Sequence, residues 1–136
     1  MAETQPRREF LAPGMVMIAQ GGNTGQLCVL RDGTVEVSRD GQHIATIHTP
    51  GAVFGEMSVL LNLPQTATVT AVTEVDYFVI DNAIEVLRTH NEWLLQIARL
   101  LAQRVNTTTA LLTAKADAEA IILPDDVFRG WGDPAV

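Results

Sequence analysis

Short segments separated by glycine-containing turns fill the chain from residue 14 to residue 80. Apolar and polar residues alternate in segments 34–38 and 43–48, which is the period of a strand with one buried face. Asp40-Gly41 joins these two segments and is a strong hairpin signal, because glycine accepts a positive φ. Strands of this kind are too short to be stable alone. Their regular spacing therefore predicts a β-sandwich or a jelly-roll barrel.

The pattern becomes helical from Asp81 onward. Asp81 and Asn82 are residue types that cap helices, and they precede a short helical segment at residues 83–88. Asn91 is placed to cap a second helix that extends to about Ala120. The predicted fold class is thus α+β. It is a β-roll or jelly-roll of about eight antiparallel strands, followed by a short helix and a long C-terminal helix.

The predicted long helix carries two apolar faces. The first consists of Leu94, Ala98, Leu101, Val105, Thr108 and Leu112, and the second of Trp93, Ile97, Leu100 and Leu111. The first face has the alternating spacing of four and three residues that coiled coils use. Two apolar faces need two surfaces to bury them, so residues 94–112 are predicted to form a homodimer. In the alternative, both faces pack on the same core.

The C-terminal segment differs from the rest of the chain. Pro124 breaks the helix, and residues 121–136 are acidic and rich in glycine and proline. They nevertheless include Phe128 and Trp131, which a pure linker rarely contains. We therefore expect one domain at residues 1–120 and a tail at residues 121–136 whose aromatic side chains dock on another surface.

Charge and composition exclude several classes of protein. Nine Lys and Arg residues face sixteen Asp and Glu residues, for a net charge of −7, so no nucleic-acid binding is expected. The lone Cys28 excludes a disulfide framework. No apolar run approaches the ~18 residues that span a bilayer, and no apolar stretch of a secretory signal follows the first charged residues. A soluble, cytoplasmic protein without membrane insertion is predicted.

Residues 54–71 carry the chemistry of the chain. Gly55 allows a close approach between the backbone and a ligand, and residues 56–61 can form one helical turn whose first N–H groups attract an anion. Glu56 offers a carboxylate that can accept hydrogen bonds from sugar hydroxyls. Pro64 ends the turn and leaves residues 65–67 extended. This combination predicts a site for a phosphorylated sugar rather than for a reaction.

The same segment resembles the phosphate-binding cassette of cyclic-nucleotide-binding domains. That cassette reads F-G-E, an aliphatic and a small residue, two aliphatic residues, three variable positions and then P-R-(A/S/T)-A-(T/S). The matching residues are Phe54, Gly55, Glu56, Met57, Ser58, Val59, Leu60, Pro64, Thr66, Ala67 and Thr68. The glycines around it match as well, and the resemblance covers about residues 10–115. It implies a β-roll followed by two helices.

The resemblance also implies roles for individual residues. The ligand-binding set is Phe54, Gly55, Glu56, Met57, Ser58, Gln65, Thr66, Ala67, Thr108 and Thr109. Gly55 and the amides after it, with Thr66 and Ala67, would contact the cyclic phosphate, and Glu56 the ribose 2′-hydroxyl. Catabolite-activator-like members use hydroxyl residues of the long helix for the base. Thr108 and Thr109 would contact the base in this chain, which favours cAMP because its exocyclic amine can donate to a hydroxyl. In other branches of the family, a threonine at the position of Thr66 accompanies the use of cGMP, so the base preference stays open.

One position departs from the family pattern. Residue 65 is Gln, where members that bind ligand usually have Arg. Arginine makes a charged, often bidentate contact with phosphate, whereas glutamine offers only a neutral donor. Two functions therefore stay open. One is a sensor that binds cAMP or cGMP, and the other is a degenerate domain that contacts a protein partner without ligand.

No catalytic or metal-binding residues are predicted, and the protein is not expected to be an enzyme. His43 and His48 would point to opposite faces of one strand, and no nucleophile with a neighbouring base is evident. No cofactor is expected beyond the cyclic nucleotide itself. Residues 121–136 are too few for the helix-turn-helix domain of the family's transcription factors. A stand-alone regulatory domain is thus predicted, which acts through its C-terminal helix on its own dimer or on a protein partner.

Overall fold

A computed structural model of the chain describes residues 6–110, 121–123, 128 and 131. Within these residues it contains nine strands and three helices. The strands are β1 (Arg7–Leu11), β2 (Val16–Ile18), β3 (Leu27–Asp32), β4 (Val35–Arg39), β5 (Gln42–Ile47), β6 (Ala52–Phe54), β7 (Thr68–Ala71), β8 (Val75–Ile80) and β9 (Ile121–Ile122). The helices are α1 (Glu56–Leu61), α2 (Ala83–Thr89) and α3 (Asn91–Ala110). The α+β class and the order of barrel, short helix and long helix are confirmed.

The strands form two sheets whose pairings are all antiparallel. The order is β1-β8-β3-β6-β9 in the five-stranded sheet and β2-β7-β4-β5 in the four-stranded sheet. Apolar side chains from both sheets meet between them and form the first core. A second core lies between the outer face of the five-stranded sheet and the helices.

Strand β3 is buried on both faces. Cys28 and Leu30 belong to the core between the sheets, whereas Leu27 and Val29 belong to the core under the helices. Successive side chains of a strand point to opposite faces, so a strand between two cores reads as a continuous apolar run. Burial raises the pKa of the Cys28 thiol to about 12. Cys28 is therefore a core residue whose thiol stays protonated at neutral pH.

The N-cap of α2 is one of the two predicted capping residues, but neither side chain caps the helix. Asn82 is the N-cap, with φ 49°, and its side chain makes no capping bond. The carboxylate of Asp81 accepts hydrogen bonds from Arg7 Nε at 2.6 Å and from Gln26 Nε2 at 2.7 Å. Asp81 therefore ties β1 and the start of β3 to the end of β8 instead of capping the helix.

Sequence patterns did not predict β1 or β9. Arg7 and Arg8 give β1 a charged character, and the strand is held at the sheet edge by a bidentate bond from Arg8 to Asp76, with distances of 3.0 and 2.6 Å. Charged residues are common on edge strands. Strand β9 has two residues and exists because it pairs with β6, far away in the sequence.

The described part of the predicted tail packs on the domain itself. Leu123 and Phe128 are buried in the second core. Trp131 lies 5.3 Å from Phe78 and 5.2 Å from Trp93 between ring centroids. Phe128 and Trp131 thus pack against other residues of the same chain.

Helix α3 presents different faces to the core and to the surface. Ile97 is buried, and Trp93 and Leu101 pack against the second core, whereas Leu94 and Ala98 are exposed. The part of the helix predicted for residues 111–120 lies outside the described residues.

Candidate functional site

A cavity of about 100 Å³ lies at one end of the barrel, between β4, β6, α1 and the segment that leads into β7. Its lining comprises Ile18, Val37, Arg39, Val53, Phe54, Gly55, Glu56, Met57, Gln65, Thr66, Ala67 and Val69. Most of the predicted binding residues are therefore brought to one place. Because the chain folds back after α1, both ends of the cassette line the same cavity.

Ser58, Thr108 and Thr109 have other placements. The Ser58 side chain is 2% exposed and is not among the described residues that line the cavity, and its hydroxyl lies 3.5 Å from Asn23 Oδ1. Thr108 and Thr109 belong to α3, but their side chains lie outside those that the structure describes. Their predicted contact with the base stays a prediction.

Gly55 sets the geometry at the start of α1. Its φ is 95°, and a Cβ at this position would lie 2.9 Å from the Gln26 carbonyl oxygen and 3.3 Å from Gln65 Nε2. Only glycine fits both the left-handed backbone and this close approach. The carbonyl of Gly55 accepts from Val59 N at 3.1 Å, which closes the first turn. The N–H groups at the start of a helix have no partner within it.

Helix α1 ends as it was predicted to, at Leu61. The immediate cause is Asn62, which adopts a left-handed conformation with φ 55° and donates its backbone N–H to the Ser58 carbonyl. Pro64 comes two residues later, where proline commonly follows a helix C-cap. The helix therefore has the predicted bounds, whereas Thr66 and Ala67, which were predicted to be extended, form a bend before β7.

Glu56 is a buried acidic residue at the cavity. It is 8% exposed and lies at the first position of α1. A carboxylate at a helix start is stabilised by the helix dipole, and an ionised carboxylate only accepts hydrogen bonds. Its chemistry suits the hydroxyl groups of a sugar.

Gln65 is fixed by its backbone. Its N–H donates to the Gly22 carbonyl at 2.7 Å, and its own carbonyl accepts from Gly21 N at 2.8 Å. The glycine-rich turn after β2 therefore holds the cassette where it leaves α1. The side-chain amide of Gln65 is directed toward Gly55, so the neutral residue at this position still reaches the cavity.

Arg39 is a cavity residue that sequence reasoning missed. Its Nε donates a hydrogen bond of 3.0 Å to the Thr66 carbonyl, and its side chain lines the cavity. The period of β4 could have revealed it. Val35 and Val37 are buried, and Arg39 follows on the same face.

The described residues contain neither a metal-binding cluster nor a helix that could span a membrane. Across residues 6–110 and the described part of the C-terminal segment, no cluster of three His, Cys, Asp or Glu side chains is placed to bind a metal ion. None of the helices in that part of the chain combines the length and the apolar character needed to cross a bilayer.

Comparison with known proteins identifies the family of the chain. The sequence model of the family described as "Cyclic nucleotide-binding domain" matches residues 8–88. A cGMP-dependent protein kinase isozyme of Drosophila melanogaster is 39% identical over 70 residues, which are 51% of this chain and 6% of the kinase. The cAMP-dependent protein kinase type II regulatory subunit of the same organism is 29% identical over 133 residues, with 87% of this chain and 35% of the subunit covered.

Solved structures agree on the fold. The catabolite activator protein of Thermus thermophilus superposes with a TM-score of 0.67 at 24% identity, over 79% of this chain and 53% of that one. The chain spans well under two thirds of the length of each of these three proteins. The matched segment is a binding domain and not a catalytic one. The fold, the cassette geometry and the family match together show that this chain belongs to the cyclic nucleotide-binding domain family.

Proposed function

We propose that this protein is a regulatory domain that binds a purine 3′,5′-cyclic nucleotide in the cavity of the cassette. The observation that carries the proposal is the meeting of three groups at one cavity. These are the backbone at Gly55, which has no side chain of its own, the buried carboxylate of Glu56, and Thr66 from the segment before β7. Backbone donors suit a cyclic phosphate, and the carboxylate suits the ribose hydroxyl beside it.

The base is part of the proposal. We keep cAMP as the first choice, because its exocyclic amine can donate to the Thr108 and Thr109 hydroxyls. The similar proteins include both a cGMP-dependent kinase and a cAMP-dependent regulatory subunit. Both nucleotides therefore belong in the test.

Binding would be transmitted through the C-terminal helix. Strand β6 leads directly into Gly55 and pairs with β9, and β9 in turn contacts α3. A change at the cassette would thus reach α3 through packed elements. Leu94 and Ala98 are exposed on α3, which supports a second copy of the chain as the partner of this face. A cytoplasmic location remains part of the proposal.

The experiment is a titration of the purified chain with cAMP, cGMP and 5′-AMP, followed by calorimetry and by thermal unfolding. Ligand that binds only the folded state raises stability by about 2.7 kcal/mol at a hundredfold excess over Kd. We expect one cyclic nucleotide to raise the unfolding temperature and 5′-AMP to have a much smaller effect. The absence of any shift at millimolar concentrations of both cyclic nucleotides would contradict the proposal.

A matched pair of variants connects binding with the cavity. Glu56→Gln removes the carboxylate from the cavity, whereas Glu92→Gln removes one from the exposed start of α3. We expect only the first variant to lose affinity. A hydrogen bond to a charged group contributes roughly 1.5–3 kcal/mol, so the loss should be about 10-fold or more.

A second function has its own supporting observation. Met57, Leu61 and Leu63 are exposed apolar side chains around α1, with exposures of 44%, 59% and 44%. Such a surface suits a protein partner, as in a domain that acts without ligand. The titration separates the two functions, because a pure interaction domain shows no response to either nucleotide.

A further inference from the structure

Arg39 is the last residue of β4 and lines the cavity. Val35 and Val37 precede it on the same face and are buried in the core between the sheets. Side chains two residues apart in a strand share a face. The third member of this row is therefore a cation at the end of the barrel where the cavity opens.

The guanidinium is already held against the cassette. Its Nε donates to the Thr66 carbonyl at 3.0 Å. A guanidinium carries five N–H donors, so this bond uses the inner nitrogen and leaves the two terminal nitrogens for a ligand. The bond also reduces the freedom of the side chain before a ligand arrives, which lowers the entropy lost on binding.

The charges around the cavity show what this cation can do. Among the described residues that line it, Arg39 and Glu56 are the two with ionisable side chains. Gln65 supplies a neutral amide. A cyclic phosphate carries one negative charge, and the whole chain has a net charge of −7. Without a cation, the phosphate would enter a protein of its own sign with only dipoles to hold it.

We propose that Arg39 is the residue that binds the cyclic phosphate through its charge, in place of an arginine at position 65. The inference rests on the proposed function of the cavity. In it, the Arg39 terminal nitrogens contact the phosphate from β4, the Gln65 amide adds a neutral donor near Gly55, and Glu56 accepts from the ribose. The glutamine is then compatible with binding because the charge comes from another strand.

The test is a set of affinities for cAMP and cGMP by calorimetry. Arg39→Ala removes the charge, and Arg88→Ala is the matched control, because Arg88 lies exposed on α2 and pairs with Glu85. Loss of a charge-assisted contact predicts an affinity about 10- to 150-fold lower for Arg39→Ala. Arg88→Ala should bind like the original chain. The unfolding temperatures without ligand should be close, since Arg39 is an exposed residue.

Two further measurements separate a direct contact from support of the backbone. Arg39→Lys keeps the charge but loses the planar fork, so its affinity should fall between those of the original chain and Arg39→Ala. Salt screens an attraction between charges. The affinities of the original chain and of Arg39→Lys should therefore decrease more with ionic strength than that of Arg39→Ala.

A double variant completes the design. Gln65→Arg should improve binding more in the Arg39→Ala background than in the original chain, because two groups that serve one phosphate are not additive. If the original chain binds and Arg39→Ala binds equally well, Arg39 has no such role, although the proposed function stands. Equal gains from Gln65→Arg in both backgrounds would also overturn the inference. If the original chain binds neither nucleotide, both proposals fail.

Discussion

The rings of Phe78 and Phe128 lie 5.6 Å apart between centroids, and both side chains are buried in the core under the helices. Phe78 belongs to β8, between β1 and β3 in the five-stranded sheet, whereas Phe128 belongs to the C-terminal segment. Trp131 contacts both rings. The described aromatic residues of the C-terminal segment are therefore part of the domain's packing.

Phe128→Ala should destabilise the protein strongly. Replacing a buried phenylalanine by alanine costs about 3–5 kcal/mol, because apolar contacts are lost and a cavity remains. Denaturation by urea measures the free energy of unfolding. The control is Phe10→Ala, since Phe10 is 66% exposed and should change that free energy by no more than about 0.5 kcal/mol. Equal stabilities of the two variants would show that the segment does not pack as described.

Gly55→Ala should reduce both stability and nucleotide affinity. The new Cβ would meet the Gln26 carbonyl oxygen at 2.9 Å, in addition to the strain of φ 95°. Gly41→Ala is the matched control, because Gly41 has φ 81° and an added Cβ would have no atom of the described residues within 4 Å. The control should lose about 1–2 kcal/mol from backbone strain alone. Gly55→Ala should lose more, and only this variant should weaken binding in a titration.

The pair of Arg7 and Asp81 predicts a stability that depends on pH. The hydrogen bond from Arg7 holds the pKa of the Asp81 carboxyl below its ordinary value of 3.8. A lowered pKa in the folded state stabilises the protein above pH 3.8, and this contribution is lost as the pH falls through the folded value. Arg7→Gln should thus be less stable than the original chain at pH 7, and the difference should disappear in acid.

Urea denaturation at several pH values between neutrality and the acid limit measures this difference. Arg99→Gln removes an exposed arginine of α3 and serves as the control. A difference between Arg7→Gln and the original chain that stays constant down to the acid limit would contradict the assigned role of Asp81.

Cys28 should react with thiol reagents only when the chain unfolds. Its side chain is 2% exposed, and burial raises its pKa to about 12, so the reactive thiolate is scarce at pH 8. A cysteine introduced at an exposed position of β5, as in Gln42→Cys, should be labelled rapidly. A cyclic nucleotide that stabilises the folded state should slow the labelling of Cys28 further. Rapid labelling of Cys28 in the native chain would contradict its placement in the core.

The exposed face of α3 predicts a homodimer. Leu94 is 39% exposed and belongs to the apolar row predicted for residues 94–112. Leu94→Glu places a charge on this face and should shift the chain toward the monomer in sedimentation experiments. Arg99→Glu adds a carboxylate on another face of the helix and should leave the assembly unchanged. A chain that is monomeric at high concentration would remove the basis of this prediction.

Local signals explain what the sequence could predict. Gly55, Asn62 and Pro64 determine their own conformations, so the bounds of α1 could be located from the sequence alone. The alternation of β4 and β5 and the turn at Gly41 are equally local. The grouping of both ends of the cassette at one cavity followed from these elements.

Other features depend on partners that are distant in the sequence. Strand β9 forms because it pairs with the edge of β6. The carboxylate of Asp81 accepts a hydrogen bond from Arg7 instead of capping α2. Arg39 belongs to the site only because β4 turns that face toward the cavity. Tertiary contacts of this kind override local propensity, and no pattern within a short window reports them.

The pairing of β9 with β6 has a consequence for synthesis. A chain emerges from the ribosome with its N-terminal part first, and Ile121 pairs with Val53 across a large part of the sequence. Strand β6, which leads into Gly55, therefore has an unpaired edge until the C-terminal segment has been synthesised. Unpaired strand edges can form β-sheet hydrogen bonds with other chains. The nascent domain can fold most of its barrel early, but it completes the sheet beside its binding cavity only when the segment around Ile121 has emerged.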